Sequence, residues 1–483
     1  MRKIAFSVVS LMAVTALSAG TDGVNTKLQH GKDAAKVSAS SESVDDLSSM
    51  FSEGTVSGQI RMFYVDRKYQ GSLGVNTHRA TTALGGHLKF ETAKFNGFNM
   101  AAAFYTTQDT GLNPYDVQDP SLLGTGLESY SILGEGYIGY SFADLGYKTD
   151  AKLGYQRYDV PMMGSDDARM LPNTFRAYKL VSHDITNTTL QIAHVDRIAY
   201  GTFRNVYSFT GTNAAKAMLA TTSGYPANGE IEAGKYYNLG MATVGKKTDG
   251  VTNVLVKYTT KHFHVKVSND YAWDMYNTLY ADAGTSWDCL LNSDIHPFLQ
   301  AQIIKQNSVG AKYMKNLAES DNGEIDSLYW AAKFGAKYAG FAAYIAYSQT
   351  SENSDTDIVN NQYKNAIISQ FGGMPAYTQG MVTRHQFLAG TKATKVAAVY
   401  SFKNLGVNLS AAAYYTSFGM DKNSGYGIAR TATEPGFDIK YYPKALKNKL
   451  QLRFRGNFPR KFYESTSGDL GWNEYRFIAN YNF

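Results

Sequence analysis

The last nine residues of the chain limit its fold more than any other stretch. Residues of one parity are apolar and mostly aromatic, whereas three residues of the other parity are polar: Tyr475, Phe477, Ala479, Tyr481 and Phe483 against Arg476, Asn480 and Asn482. A strand here therefore has one apolar and one polar face. As the last strand, it would leave backbone groups and an aromatic stripe uncovered. Closure of a barrel removes that edge, and lipid accommodates the aromatic stripe. An ordinary last strand of a soluble sheet is the alternative.

The composition is compatible with one large barrel. Apolar residues make up 44% of the 483 residues, and the mean hydropathy of −0.31 is that of a soluble protein. This average does not exclude a membrane barrel, because its strands combine an apolar outside with a polar inside. The 36 Tyr and 25 Phe residues are typical of aromatic belts at two membrane interfaces, although a soluble β-rich core also uses them.

Charge and cysteine content exclude several classes of function. The formal net charge is +6, and no run of Lys and Arg is long enough to indicate nucleic-acid binding. Cys289 is the only cysteine, so the chain has no internal disulfide and no cysteine-based metal site.

The first residues have the pattern of a secretory signal peptide, which we assign to residues 1–20. Arg2 and Lys3 precede an apolar run over 4–17, and cleavage after Ser18 or Gly20 fits equally well. Residues 21–54 are predicted to form a periplasmic segment with a short helix, and residues 55–483 the barrel. No later apolar run is long enough for a membrane helix, so the sequence predicts an exported outer-membrane protein of a Gram-negative bacterium.

Between the ends, alternating segments come in pairs that read as antiparallel hairpins. We identify eight of them, at residues 87–106, 136–158, 174–197, 251–270, 279–306, 328–350, 395–417 and 437–458. With a first strand near Val56 and the last strand, they predict an all-β fold, a transmembrane antiparallel barrel of about 18 strands.

The joins within the pairs are short and those between pairs are long, notably 198–250 and 351–394. We interpret them as periplasmic turns and external loops. Long external loops also support a second hypothesis, a surface barrel that acts mainly as an adhesin or structural protein. On that hypothesis, trimming 351–394 abolishes binding without altering conductance. A barrel enzyme is a third alternative, but no GxSxG or HExxH motif occurs.

Three short motifs resemble ligand sites without their structural context. Residues 134–139 (GEGYIG) match a dinucleotide fingerprint, but a strand pattern follows instead of a helix. Residues 240–247 (GMATVGKK) nearly match a phosphate loop and are interpreted as a strand end and turn. The acidic stretch 351–358 lacks the Gly and final Glu of a calcium loop, so only loose calcium binding is compatible with it. We therefore expect no cofactor and no metal site.

The most specific motif lies in residues 152–180, where a strand, a loop with an Asp-x-Arg-x-Leu-Pro signature and another strand follow one another. The signature falls on Asp167, Arg169, Leu171 and Pro172. With residues 271–276, the hairpin at 438–455 and the last strand, this stretch resembles the OprD-type outer-membrane porins, over about Val56 to Phe483. The resemblance implies a third external loop, here 159–173, that folds inward to narrow the pore. It also implies a track of basic residues that guides carboxylate-bearing solutes.

The alternation supplies candidates for that track. Arg453 and Arg455 share a parity opposite Leu452 and Phe454, and an arginine facing lipid at mid-depth costs about 2–4 kcal/mol, so both must face the lumen. The full set of predicted pore-lining and constriction residues is Arg61, Asp159, Asp166, Asp167, Arg169, Lys440, Arg453, Arg455 and Arg476.

These observations together predict a passive channel for small hydrophilic solutes and ions that favours small carboxylates. Asp166 and Asp167 beside Arg169 indicate a constriction of mixed charge, unless these residues simply pair with one another within the loop. Expected partners are outer-membrane lipid and lipopolysaccharide, and the barrel assembly machinery through the strand that ends at Phe483. A homotrimer is compatible with this interpretation, and no nucleic-acid partner is expected.

Overall fold

The computed structural model of the chain describes most of the predicted barrel. The described residues are 43–73, 78–112, 118–202, 232–316, 324–360, 364–373, 375–424 and 428–483. The predicted signal peptide at 1–20, most of the predicted periplasmic segment and much of the long join at 198–250 lie outside them.

Long antiparallel strands make up the fold, and we number the barrel strands β1 to β18. They are β1 Thr55–Gln70, β2 His78–Glu91, β3 Phe98–Asp109, β4 Tyr130–Ser141, β5 Thr149–Gln156, β6 Thr174–Ser182, β7 Thr188–Ala199, β8 Val251–Thr259, β9 Phe263–Ala272, β10 Tyr276–Ser286, β11 His296–Ser308, β12 Asp326–Tyr338, β13 Phe341–Thr350, β14 Lys392–Ser401, β15 Leu409–Met420, β16 Arg430–Tyr441, β17 Leu450–Asn457 and β18 Gly468–Asn482. All eight predicted hairpins are confirmed.

The last strand closes the barrel against the first. β18 pairs antiparallel with β1 from Gln59 opposite Asn482 to Gln70 opposite Gly471, and every other strand pairs with its neighbours along the chain. The predicted closed barrel of 18 antiparallel strands is therefore confirmed. Closure leaves no sheet edge with open backbone groups, as a strand structure in lipid requires.

A few short elements accompany the barrel. The helices are α1 Leu47–Ser52, α2 Leu239–Val244 and α3 Asp355–Val359, and the short strands are Ser43–Val44, Lys94–Phe95, Tyr237–Asn238 and Tyr463–Ser465. Short 3-10 helices lie at Pro120–Leu122, Thr125–Leu127, Ala143–Leu145, Tyr313–Asn316, His385–Phe387, Phe402–Leu405 and Lys444–Leu446. Within the described residues, none of the helices has the length and apolar character needed to cross a membrane.

Two motif interpretations have different outcomes. GEGYIG lies within β4, as the strand reading predicts. The interpretation of GMATVGKK as a strand end and turn is wrong, because α2 begins there. Asn238 caps this helix by accepting hydrogen bonds from the backbone N–H groups of Gly240 and Met241, a local preference that the strand reading overlooked.

Alternation along the strands separates the two faces of the barrel as predicted. On β17 and β18, Phe454 and Phe477 are 41% and 38% exposed on the outside, whereas Arg455 and Arg476 are fully buried on the inside. Phe63 and Val65 break the polar inner face of β1. They pack in one buried cluster with Leu122, Met170 and other residues of the loops. The two apolar residues on β1 therefore form a contact surface for the loops that fold into the barrel.

The join at 351–394, interpreted as an external loop, folds into the barrel over most of its described length, a course that the sequence did not predict. Helix α3 at its start is exposed, but most of the described residues from 364 to 391 are buried inside the barrel. The inner-face side chain of Gln306 on β11 is bonded at 2.7 Å to both the N–H and the carbonyl group of Ile368. Join length indicates where a loop begins, but not whether it turns outward or inward.

Candidate functional site: a lumen narrowed by two inward loops

Residues 157–173, which join β5 to β6, form a constriction loop that crosses the barrel interior. On one side, the hydroxyl of Tyr158 donates a 2.8 Å hydrogen bond to Asn253 on β8. On the other side, Asp167 is bonded to Arg61 on β1. Strands β1 and β8 are far apart around the wall, so a loop that reaches both must pass through the lumen. This is the inward loop that the resemblance implied.

Arg61 fastens the constriction loop to the wall. Its Nη1 lies 2.5 Å from Oδ1 of Asp167 and 2.6 Å from the carbonyl oxygen of Arg169, and its Nε donates to Asn480 on β18 at 2.8 Å. The side chain is buried. A guanidinium group presents several donors in a fixed plane, so one arginine holds two segments in a single geometry.

A buried carboxylate on β18 forms the second anchor. Glu474 accepts from Arg476 at 2.5 Å and from Arg67 at 2.9 Å, both on the wall, and from Arg169 of the loop at 3.3 Å. Arg67 also pairs with Asp119 at 3.0 Å. A charge removed from water has to be paired, and each charge of this cluster lies within ion-pair distance of an opposite one.

The second inward loop comprises residues 364–391 and touches the constriction loop near the centre. The N–H of Gly164 donates to the carbonyl of Phe371 at 2.9 Å, and the N–H of Gly373 donates to Asp166 at 3.2 Å. A Cβ atom on Gly164 would lie 2.9 Å from the Cα of Gly373. The two backbones therefore approach each other more closely than any side chain at Gly164 allows.

Glu434 on β16 holds the far side of the second inward loop. Its carboxylate accepts from the N–H groups of Met381 and Val382 at 2.7 and 3.2 Å, and also from the hydroxyls of Thr383 and Tyr414. Both inward loops are thus tied to the wall through buried charged groups, which fixes the shape of the passage.

Predicted track residues lie together on β16 and β17. Arg453 makes a two-point contact with Asp438, both distances being 2.7 Å. Lys440 lies 3.6 Å and Arg455 4.0 Å from the same carboxylate. Three cationic side chains thus surround one carboxylate, and the side chain of Lys440 is 16% exposed. This arrangement leaves an excess of positive charge on one wall.

The comparisons with known proteins fit this geometry. The family described as "outer membrane porin, OprD family" matches residues 145–483. The chain belongs to the OprD family. It is an outer-membrane porin, a passive diffusion channel for small hydrophilic solutes.

Solved structures show the same fold. OccK9 (OpdG) of Pseudomonas aeruginosa is 17% identical with a TM-score of 0.68, and covers 90% of this chain and 99% of its own. OpdK of Pseudomonas aeruginosa, solved with vanillate, is 16% identical with a TM-score of 0.67 and the same coverage. OccK2 (OpdF) of Pseudomonas aeruginosa, solved with glucuronate, is 15% identical with a TM-score of 0.64, and covers 90% of this chain and 99% of its own. No curated protein matches the sequence.

In this porin the predicted charged residues of 159–173 lie in the loop that crosses the lumen, and three of them contact groups outside that loop. Asp167 and Arg169 contact the wall, and Asp166 contacts the second inward loop. Asp159 is exposed and accepts from the N–H of Ser165 at 2.9 Å. Arg61 and Arg169 therefore act first as loop anchors, and Arg476 pairs with Glu474 on its own strand.

Several inner-face cations of the porin were missed. Lys152 on β5 stands opposite Lys179 on β6, and Lys89 on β2 lies 3.2 Å from Glu91 and 3.7 Å from Glu135. The parity test that identified Arg453 applies equally to these lysines, since they lie in or beside recognised hairpins.

Arg157, at the start of the constriction loop, was also missed and lies 3.6 Å from Asp167. Burial by itself lowers the pKa of Arg157, but the carboxylate of Asp167 and other acidic groups nearby together outweigh that effect and raise the pKa above its usual value. Arg157 therefore stays charged and strengthens the hold on Asp167. Across the described ranges, no group of three His, Cys, Asp or Glu residues is arranged to hold a metal ion.

Proposed function

We propose that this porin favours small solutes that carry a carboxylate. The observation that carries the proposal is the cationic wall on β16 and β17, where Arg453, Arg455 and Lys440 surround the single carboxylate of Asp438. A passage lined by excess positive charge concentrates anions and raises their rate of entry.

The chemistry of the solved relatives supports the same class of solute. One structure of OpdK contains vanillate and one of OccK2 (OpdF) contains glucuronate, and both compounds are carboxylates. Because Arg453 holds Asp438 in a two-point contact, the wall keeps its geometry while the remaining positive charge stays available to a passing carboxylate. Several moderate sites in series allow a solute to leave as well as enter.

The test is a reversal-potential measurement in planar bilayers under a salt gradient. The double variant Arg453→Ala with Arg455→Ala should reduce the preference for anions, and Asp438→Asn should increase it. Lys68→Gln is the matched control, because Lys68 is exposed on the outer parity of β1 and its loss should change nothing. Equal reversal potentials in all variants would contradict the proposal, and so would a bilayer seal without stepwise conductance.

The rest of the proposal concerns partners. The outer face would contact outer-membrane lipid and lipopolysaccharide, and the strand that ends at Phe483 would be recognised by the barrel assembly machinery. We retain a homotrimer as a hypothesis that cross-linking of intact membranes can test. The proposal assigns no catalytic role and needs no cofactor; loose calcium binding near 351–358 remains a separate hypothesis.

A further inference from the structure

Lys333 on β12 is a buried cation without an acceptor. Its side chain is 1% exposed on the inner face of the barrel. The ammonium nitrogen lies 4.3 Å from the ring centre of Tyr377 and 5.3 Å from that of Tyr344. No described residue accepts a hydrogen bond from it. Aromatic faces attract a cation, but they leave the three N–H donors of an ammonium group unsatisfied.

A second buried lysine stands on the other side of the same small residue. Ala346 on β13 is paired with Lys333 on β12 and with Lys395 on β14. Neighbouring strands are about 4.8 Å apart, so the two lysine backbones are separated by about 10 Å. At this register position Ala346 places only a methyl group between the two lysines. Lys395 is 2% exposed, and its ammonium donates to the carbonyl of Gln379 at 2.6 Å.

The nearby carboxylates contact other groups at hydrogen-bond or ion-pair distance, and Asp282 attracts Lys333 only from beyond that distance. Asp282 lies 3.6 Å from the ammonium of Lys266. Glu434 receives donors from the second inward loop and from Tyr414. Among the described residues, no carboxylate lies within ion-pair distance of Lys333. A buried ammonium without a close counter-ion is costly, so an anion beside Lys333 would stabilise its charged form.

We propose that a small monovalent anion of halide size binds between Lys333 and Lys395, above Ala346 and beneath the second inward loop. Tyr377 and Gln379 of that loop close the site, so the anion joins the loop to β12 and β14 and stabilises its inward position. Both ammonium groups are shut off from the lumen, unlike Lys440 with its 16% exposure. The ion is therefore a fixed structural component and not a solute in transit.

Bromide provides a direct test, because it replaces chloride and scatters anomalously. Crystals of the full barrel in bromide should show an anomalous peak within hydrogen-bond distance of the Lys333 ammonium. The peak should be absent in Lys333→Met, and also in Ala346→Val, which keeps both charges but fills the gap. Absence of a peak in the wild type would overturn the proposal, as water alone then fills the site. A peak that persists in Lys333→Met would be an adventitious ion only.

Thermal unfolding gives a second readout. At equal ionic strength, chloride should raise the Tm of the wild-type protein relative to gluconate, because an ion that binds only the folded state stabilises it. Lys333→Met should lose this difference, and Lys257→Met, at an exposed inner-face lysine, should keep it. An equal response in all three proteins would contradict the proposal. The reversal potentials of the Arg453 and Asp438 variants do not depend on this site, so the two proposals can fail separately.

Discussion

At the scale of single residues, buried charges in this porin position the loops before they act on solutes. Arg61, Arg169 and Glu474 are nearly inaccessible to solvent, and each joins the wall to the constriction loop. A buried charge that loses its partner is strongly destabilising, so these contacts are strict requirements and not adjustable surface pairs.

Arg61→Ala should therefore release the constriction loop. The change leaves Asp167 without its closest cation and removes the donors to the carbonyls of Arg169 and Met170. We expect a loss of about 3–5 kcal/mol in the free energy of unfolding, measured by urea titration in lipid vesicles. Lys68→Ala, on the outer parity of the same strand, should change it by about 0.5 kcal/mol or less. Equal effects of the two substitutions would show that Arg61 anchors nothing.

His385 should make the inward position of the second inward loop sensitive to acid. Burial, aided by Arg430, lowers the pKa of His385 to about 3, while its Nε2–H donates to the carbonyl of Phe462 at 2.6 Å. The histidine is thus neutral when seated and has its ordinary pKa, about 6.5, when the loop is released. Its contribution to seating is complete above that value and is lost progressively as the pH falls toward about 3.

Single-channel recordings between about pH 7.5 and about pH 4 check this prediction. The wild type should show more frequent transitions to larger conductance at the acid end. His385→Gln, which keeps a donor for Phe462 but cannot be protonated, should not. His262→Gln, at an exposed turn, should behave as the wild type does. An identical acid response in His385→Gln would assign the effect to other groups.

At the scale of elements, the inward course of residues 364–391 is the feature that sequence reasoning did not predict. The alternation that predicts strands is absent from 364–391, and the length of the join predicts only on which side of the membrane it begins. The stretch FGGMPAYTQGMVTRHQFLAG, residues 371–390, is mostly apolar or uncharged, which is a poor composition for a loop in water. Whether this stretch folds into the barrel still depends on contacts with Gln306 and Glu434, which are distant in sequence.

Trimming this loop distinguishes a channel constriction from an external binding surface. Replacement of residues 375–383 by a short Gly/Ser linker should increase single-channel conductance, because it removes chain that crosses the lumen. Replacement of the mostly exposed residues 354–360 is the control and should leave conductance unchanged. Unchanged conductance in the first variant would restore the adhesin alternative, in which the loop serves only outside.

At the scale of the whole molecule, the barrel could be predicted because its signal is local. Each strand shows its two faces through alternate residues, and the short joins at 260–262 and 339–340 show that neighbours pair as hairpins. The same parity placed Arg453 and Arg455 on the inner face. The parity of residues could not show that Glu474 forms ion pairs with Arg67, Arg169 and Arg476, because these groups come together only when the barrel has closed and the loop has folded inward.

The central claim is that alternate residues face a water-filled lumen and the surrounding lipid. A thiol reaction tests it most directly, in a Cys289→Ser background with one new cysteine at a time. Lys440 faces inward and its neighbour Ile439 faces outward on β16, so Lys440→Cys and Ile439→Cys form a matched pair. A charged, membrane-impermeant thiol reagent should react with Lys440→Cys and reduce the current, and should leave Ile439→Cys unchanged. Reaction at Ile439→Cys without reaction at Lys440→Cys would contradict both the architecture and the channel.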